Sequence, residues 1–148
     1  MSNCTIDRIE EAVEYGECFN IRVEGESMLP LLGRAGDVII VRRIHIDEPI
    51  VGRIAMCRVQ SKHYVTHRVI KRDAGMVIMR GDGRLTFDDP VERESIVGIV
   101  EGVVRQNGKR ESCLSRYWRL RERLWLAQPI WLRRITLGII RRWNRLTN

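Results

Sequence analysis

From Asn20 onward, short apolar runs alternate with turn-forming residues at a spacing that predicts strands. Six β-rich segments stand out, over residues 20–24, 37–43, 53–59, 64–71, 76–80 and 96–104, separated by Gly, Asp and Pro signals. Short strands repeated in this way predict a mainly β domain, closed as a compact barrel or a coiled sheet. Ahead of them, Ile6, Ile9 and Val13 recur at helical spacing, with Thr5 placed to cap and Gly16 to terminate, so residues 1–19 predict a short helix. Behind them, Pro129 divides a second helical pattern into two pieces. In the second piece, Leu132, Ile135, Ile139, Trp143 and Leu146 build one apolar face, and Arg133, Arg134, Arg141 and Arg145 lie on the other side. The expected organisation is an N-terminal helix (1–19), a β domain (20–113) and an amphipathic helical tail (114–148).

Charge sharpens this division. From Leu114 onward nine arginines face the single acid Glu122, which accounts for more than the whole net charge of +7. All four tryptophans are in the same segment. Arginine and tryptophan beside an apolar stripe are what a helix lying on an anionic membrane uses, with rings at the headgroups and cations on the phosphates. Packing on the β domain or on a second copy fits the pattern equally well. Nucleic acid is disfavoured, because aliphatic and tryptophan residues crowd the basic segment and no helix-turn-helix precedes the β domain. A transmembrane span is disfavoured too: the longest uncharged run, Leu124 to Leu132, falls far short of the ~20 residues required.

Cysteine usage bears on compartment and cofactors. Cys4, Cys18, Cys57 and Cys113 are scattered and form no paired motif, so neither a metal site nor any other cofactor is expected. The start of the chain has no basic segment followed by an apolar one. Reduced thiols in the cytoplasm are therefore expected, with the tail at the inner face of the membrane if it binds lipid.

The candidate chemistry begins in GESMLPLLGRAGDVIIV, Gly25 to Val41. A serine hydroxyl attacks a carbonyl only when a positioned base takes its proton and a third group orients that base. The chain holds Ser27 in this stretch, His67 within VTHRVI, and Asp82, Asp88 and Asp89 within RGDGRLTFDDP. Taken singly, each has a plainer role. Met28 and Pro30 serve as core and turn residues, Gly36-Asp37 as a turn, and His67, alternating with Val65 and Val69, as a core histidine. His45 and His63 lie in polar surroundings and read as surface residues.

The three segments in this order resemble the type I signal peptidase superfamily of serine endopeptidases, which includes the self-cleaving LexA-like repressors. The likeness spans roughly residues 20–104 and rests on Ser27-Met28-Leu29-Pro30, Gly36-Asp37, His67-Arg68-Val69 and Gly81-Asp82. The resemblance implies the same mainly β fold and a histidine base of the archaeal and endoplasmic-reticulum branch. It also implies Ser27 as nucleophile, His67 as base and Asp88 as triad acid, with Asp82 and Asp89 as alternative or loop-supporting acids. An imidazole can act as base at physiological pH without the heavy desolvation a lysine needs. Two departures stand out: Gly25 occupies the position where signal peptidases carry an oxyanion-binding hydroxyl, and no transmembrane anchor precedes Ser27. Glu26, before the serine, is closer to the repressor branch.

Two function classes follow from the resemblance. The first is a serine endopeptidase that cuts a specific protein or leader peptide next to small residues. The second is a self-cleaving or non-catalytic regulatory module of the LexA-like type. For self-cleavage, Ala74-Gly75 is the conspicuous internal small-residue pair.

Overall fold

The computed structural model describes residues 18–33, 36–60 and 63–147. The helix expected over residues 1–19 lies outside these residues except for its last two, and Phe19 already opens the first strand. The fold is mainly β. Eight strands form one antiparallel sheet: β1 (Phe19–Arg22), β2 (Val38–Arg43), β3 (Ile54–Gln60), β4 (His63–Asp73), β5 (Met76–Arg80), β6 (Val91–Glu92), β7 (Ile96–Val104) and β8 (Arg110–Ser112). A 3-10 turn (Arg93–Ser95) links β6 to β7, and two helices, α1 (Arg116–Leu126) and α2 (Ile130–Thr147), follow β8 among the described residues.

All six strands expected from the sequence are present, each within a few residues of its predicted bounds. The two that pattern did not reveal, β6 and β8, span two and three residues, too few for an alternation to register. The sheet runs β1-β2-β7-β3-β4-β5-β6, with β8 on β7. Register shifts at Ile40/Val41, Met56/Cys57, Arg58/Gln60 and Val69/Lys71 interrupt the ladders. Bulges of this kind bend a strand and raise its twist, which coils the sheet.

Coiling gives the sheet two covered faces. Ile54, Met56, Val41 and Val100 join the post-serine segment Met28–Leu32 and the helical residues Trp118, Trp125 and Leu137 in one cluster. Ala55, Cys57, Val69, Val77, Met79 and Ile99 form the other. Since neighbours along a strand point to opposite faces, β3 is buried continuously from Ile54 to Cys57. For the same reason His67, Arg68 and Val69 are buried in succession on β4.

The helices start where local chemistry dictates. Ser115 caps α1, its hydroxyl accepting the Trp118 N–H at 3.1 Å, and Pro129 immediately precedes α2. The apolar stripe of α2 does not pack on the β domain. Ile135, Ile139, Trp143 and Leu146 are exposed, while Leu137 and Arg133 are buried and Ile140 packs on the core.

Candidate active site

Ser27 stands at the head of an apolar anchor. Met28, Leu29, Leu31 and Leu32 are all buried, which fixes the turn to the core and leaves Ser27 half-buried at its edge. Main-chain bonds from Leu29 N–H to the Glu26 carbonyl (3.3 Å) and from Leu32 N–H to the Met28 carbonyl (3.0 Å) close the turn. Gly25 enters it with φ +85°, a left-handed backbone that strains any other residue. This accounts for the missing hydroxyl side chain at that position.

Gly81-Asp82-Gly83 lies directly against the serine turn. The Gly83 N–H donates to the Ser27 carbonyl at 2.8 Å, and the Asp82 N–H to Met28 Sδ at 3.3 Å. A Cβ on Gly83 would meet the Glu26 carbonyl oxygen at 2.9 Å, and one on Gly81 would collide with that of Ser27. Both positions are glycine because backbone meets backbone there.

Arg68 holds this loop from below. Its guanidinium donates to both oxygens of the buried Asp82 carboxylate (2.8 and 2.6 Å), to the Gly52 carbonyl (2.8 Å) and to Glu122 of α1 (2.9 Å). Burial disfavours the cation, but the ion pairs with Asp82 and Glu122 outweigh it and raise the Arg68 pKa. From above, the Asp82 carbonyl accepts from Trp125 Nε1 (3.1 Å) and Arg133 Nη2 (2.9 Å). The Gly83 carbonyl accepts from Arg141 Nη2 (3.1 Å), and Arg141 also faces Glu26 at 3.5 Å. Burial lowers the pKa of Arg133, whose guanidinium lies over the Trp125 ring.

His67 pairs with Ala55 across the β3–β4 ladder and is buried among neighbours of the second cluster. Its Nε2 is 3.0 Å from Ser27 Oγ, and its Nδ1 is 2.5 Å from Asp88 Oδ2. Asp88 is held by its own main chain, whose N–H donates to the Met79 carbonyl of β5 at 2.9 Å. The structure thus brings together Ser27, His67 and Asp88. Asp82 is bound by Arg68 instead, and Asp89 is exposed. His45 and His63 are exposed and apart from this cluster. A serine hydroxyl, an imidazole and a carboxylate in this line can pass the hydroxyl proton to the ring while the carboxylate fixes its tautomer.

A cleft of about 330 Å³ opens beside His67, lined by Cys57, Val65, Met79, Phe87 and Asp88 among others. Burial, with Asp88 nearby, pushes the Cys57 thiol up to about 11, so it stays a neutral apolar wall. Among the described residues, no group of three or more His, Cys, Asp or Glu is arranged to hold a metal ion.

Sequence reasoning did not find the roles of Trp125, Arg133, Arg141 and Glu122, which join the tail to the site loop. The one available signal was Glu122 itself, a single acid among nine arginines. The family model described as Peptidase S24-like matches residues 4–100 of the chain. No curated protein matches it.

Proposed function

The chain belongs to the Peptidase S24-like family, and on that footing we propose that it is a serine endopeptidase of the signal peptidase type, cleaving a specific protein or leader peptide. The observation that carries this reading is the unbroken line from Ser27 Oγ through the His67 ring to Asp88. Ser27 attacks the scissile carbonyl while His67 Nε2 takes its proton, and Asp88 accepts the Nδ1–H and stabilises the imidazolium. The collapsing intermediate leaves an acyl group on Ser27, and His67 returns the proton to the departing amine. Water, activated by the same ring, then releases the acyl group. With glycine at position 25, the oxyanion relies on main-chain N–H donors, that of Ser27 first. Loss of one such donor costs roughly a hundredfold or more in rate, so turnover is slow. The cleft beside His67 is the place for a substrate side chain.

Digestion of a peptide library by wild type and by Ser27→Ala tests this reading. Cleavages present only with wild type support it, and identical patterns sink it. The alternative, a self-cleaving or non-catalytic regulatory module, has less behind it. Ala74-Gly75 forms the tight β4–β5 turn, where both residues take positive φ, not the extended form a protease cleft accepts. Intact mass of the protein after prolonged incubation checks this: an unbroken chain removes self-cleavage from consideration.

A further inference from the structure

We infer that the outer face of α1 and α2 docks on an anionic phospholipid surface. The inference is independent of the catalytic reading and rests on how the two helices divide their residues between inside and outside. Inward, Trp118, Trp125 and Leu137 enter the core, and Arg133 and Arg141 hold the Gly81–Gly83 loop. Those contacts orient both helices against the domain. Outward, α2 shows a stripe of Trp131, Ile135, Ile139, Trp143 and Leu146, with Ile139 64% exposed and Leu146 77% exposed. On α1, Tyr117, Leu120 and Leu124 are exposed at three- and four-residue spacing.

Exposed arginines accompany both stripes: Arg116, Arg119 and Arg123 on α1, and Arg134, Arg142 and Arg145 on α2. The only acid of the two helices, Glu122, is engaged by the buried Arg68. Among the described residues of the two helices, the outer face therefore carries positive charge with no carboxylate among it. A second copy is a poor occupant, because a two-fold interface sets a patch against itself and arginines against arginines. A phosphate backbone of nucleic acid would satisfy the arginines and leave Ile135 and Ile139 in water. A bilayer surface satisfies all of it: the aliphatic stripe enters the acyl boundary, the tryptophans sit at the headgroups, and the arginines reach lipid phosphates. No described helix is long and apolar enough to cross a membrane. Over its 18 residues α2 extends about 27 Å and would lie along the surface.

Cosedimentation of the full chain with vesicles tests the inference, using phosphatidylcholine alone and phosphatidylcholine mixed with phosphatidylglycerol. The expected result is pelleting with the mixed vesicles only. Ile135→Glu/Ile139→Glu removes it, and circular dichroism of that variant stays native, since both side chains are exposed. In a second variant, Arg134→Gln/Arg142→Gln/Arg145→Gln weakens binding on the order of a hundredfold, about fivefold per arginine. Three results would overturn the inference: no pelleting with anionic vesicles, equal pelleting with neutral ones, or undiminished binding by both variants. A wild type that fails to bind vesicles but self-associates, and loses this in the Ile135/Ile139 variant, points to a second copy and equally overturns it.

Discussion

At the scale of single residues, the site is a set of short-range dependencies on Ser27. Asp88→Asn preserves the shape of the His67 contact but presents the wrong tautomer, so the rate of acylation falls about 10³- to 10⁴-fold while the melting temperature barely moves. Asp89→Asn serves as the comparison, and an exposed side chain at that position leaves the rate unchanged. Gly83→Ala acts through the backbone instead. Its methyl pushes on the Glu26 carbonyl and shifts Ser27 by a few tenths of an ångström or more, which costs about 10- to 100-fold in acylation. Thiol chemistry reports on packing: in a Cys4→Ser/Cys18→Ser background, native protein resists iodoacetamide at pH 8. Burial raises the Cys57 and Cys113 thiols to about 11 and about 12, and both label only after unfolding. The order Ser27, His67, Gly81-Asp82 was legible in the sequence because it resembles a family pattern. The resemblance also put Asp88 ahead of Asp82 and Asp89, but the physical reason was not legible, since it depends on the Met79 carbonyl and the Arg68 guanidinium, which lie close only in the folded chain.

Among elements, the strands were legible and their ends less so. Alternation reveals a half-buried strand, and β2 shows it plainly. In β3 and β4 both faces are covered at the centre, so alternation fades into continuous burial. The orientation of α2 was not legible, because its apolar stripe fits packing on the domain and contact with a membrane surface equally well. Arg133 turns the stripe outward by donating to the Asp82 carbonyl and lying over Trp125, a role open to few other side chains. The strap between α1 and the sheet is ionic as well. Glu111 of β8 is held below the usual carboxylate range, chiefly by its hydrogen bond to Arg105 and then by Arg121 of α1. A depressed carboxyl contributes stability that is complete above its unfolded pKa of about 4.3 and is lost as pH falls toward the folded value. Tryptophan fluorescence melts are expected to be flat from pH 7 to about 5 and to shift downward below that, with a shallower slope in Glu111→Gln.

At the scale of the whole molecule, the buried Arg68–Asp82–Glu122 cluster joins β4, the site loop and α1 in one contact. Asp82→Asn leaves the Arg68 charge short of a partner and lowers stability by about 3 to 5 kcal/mol in urea denaturation, whatever it does to catalysis. Strand β4 presents His67 and the β5–β6 connection presents Asp88, the helices brace the loop beneath Ser27, and the outer helical face remains free of any part in the chemistry. The central claim is that Ser27 is an activated nucleophile. The most direct test is reaction of the full chain with a fluorophosphonate probe, with the adduct located by peptide mass spectrometry. The account predicts a single adduct on Ser27, absent in Ser27→Ala and reduced at least a thousandfold in rate in His67→Ala. Wild-type protein that stays unlabelled, or labelling that His67→Ala leaves intact, would contradict it.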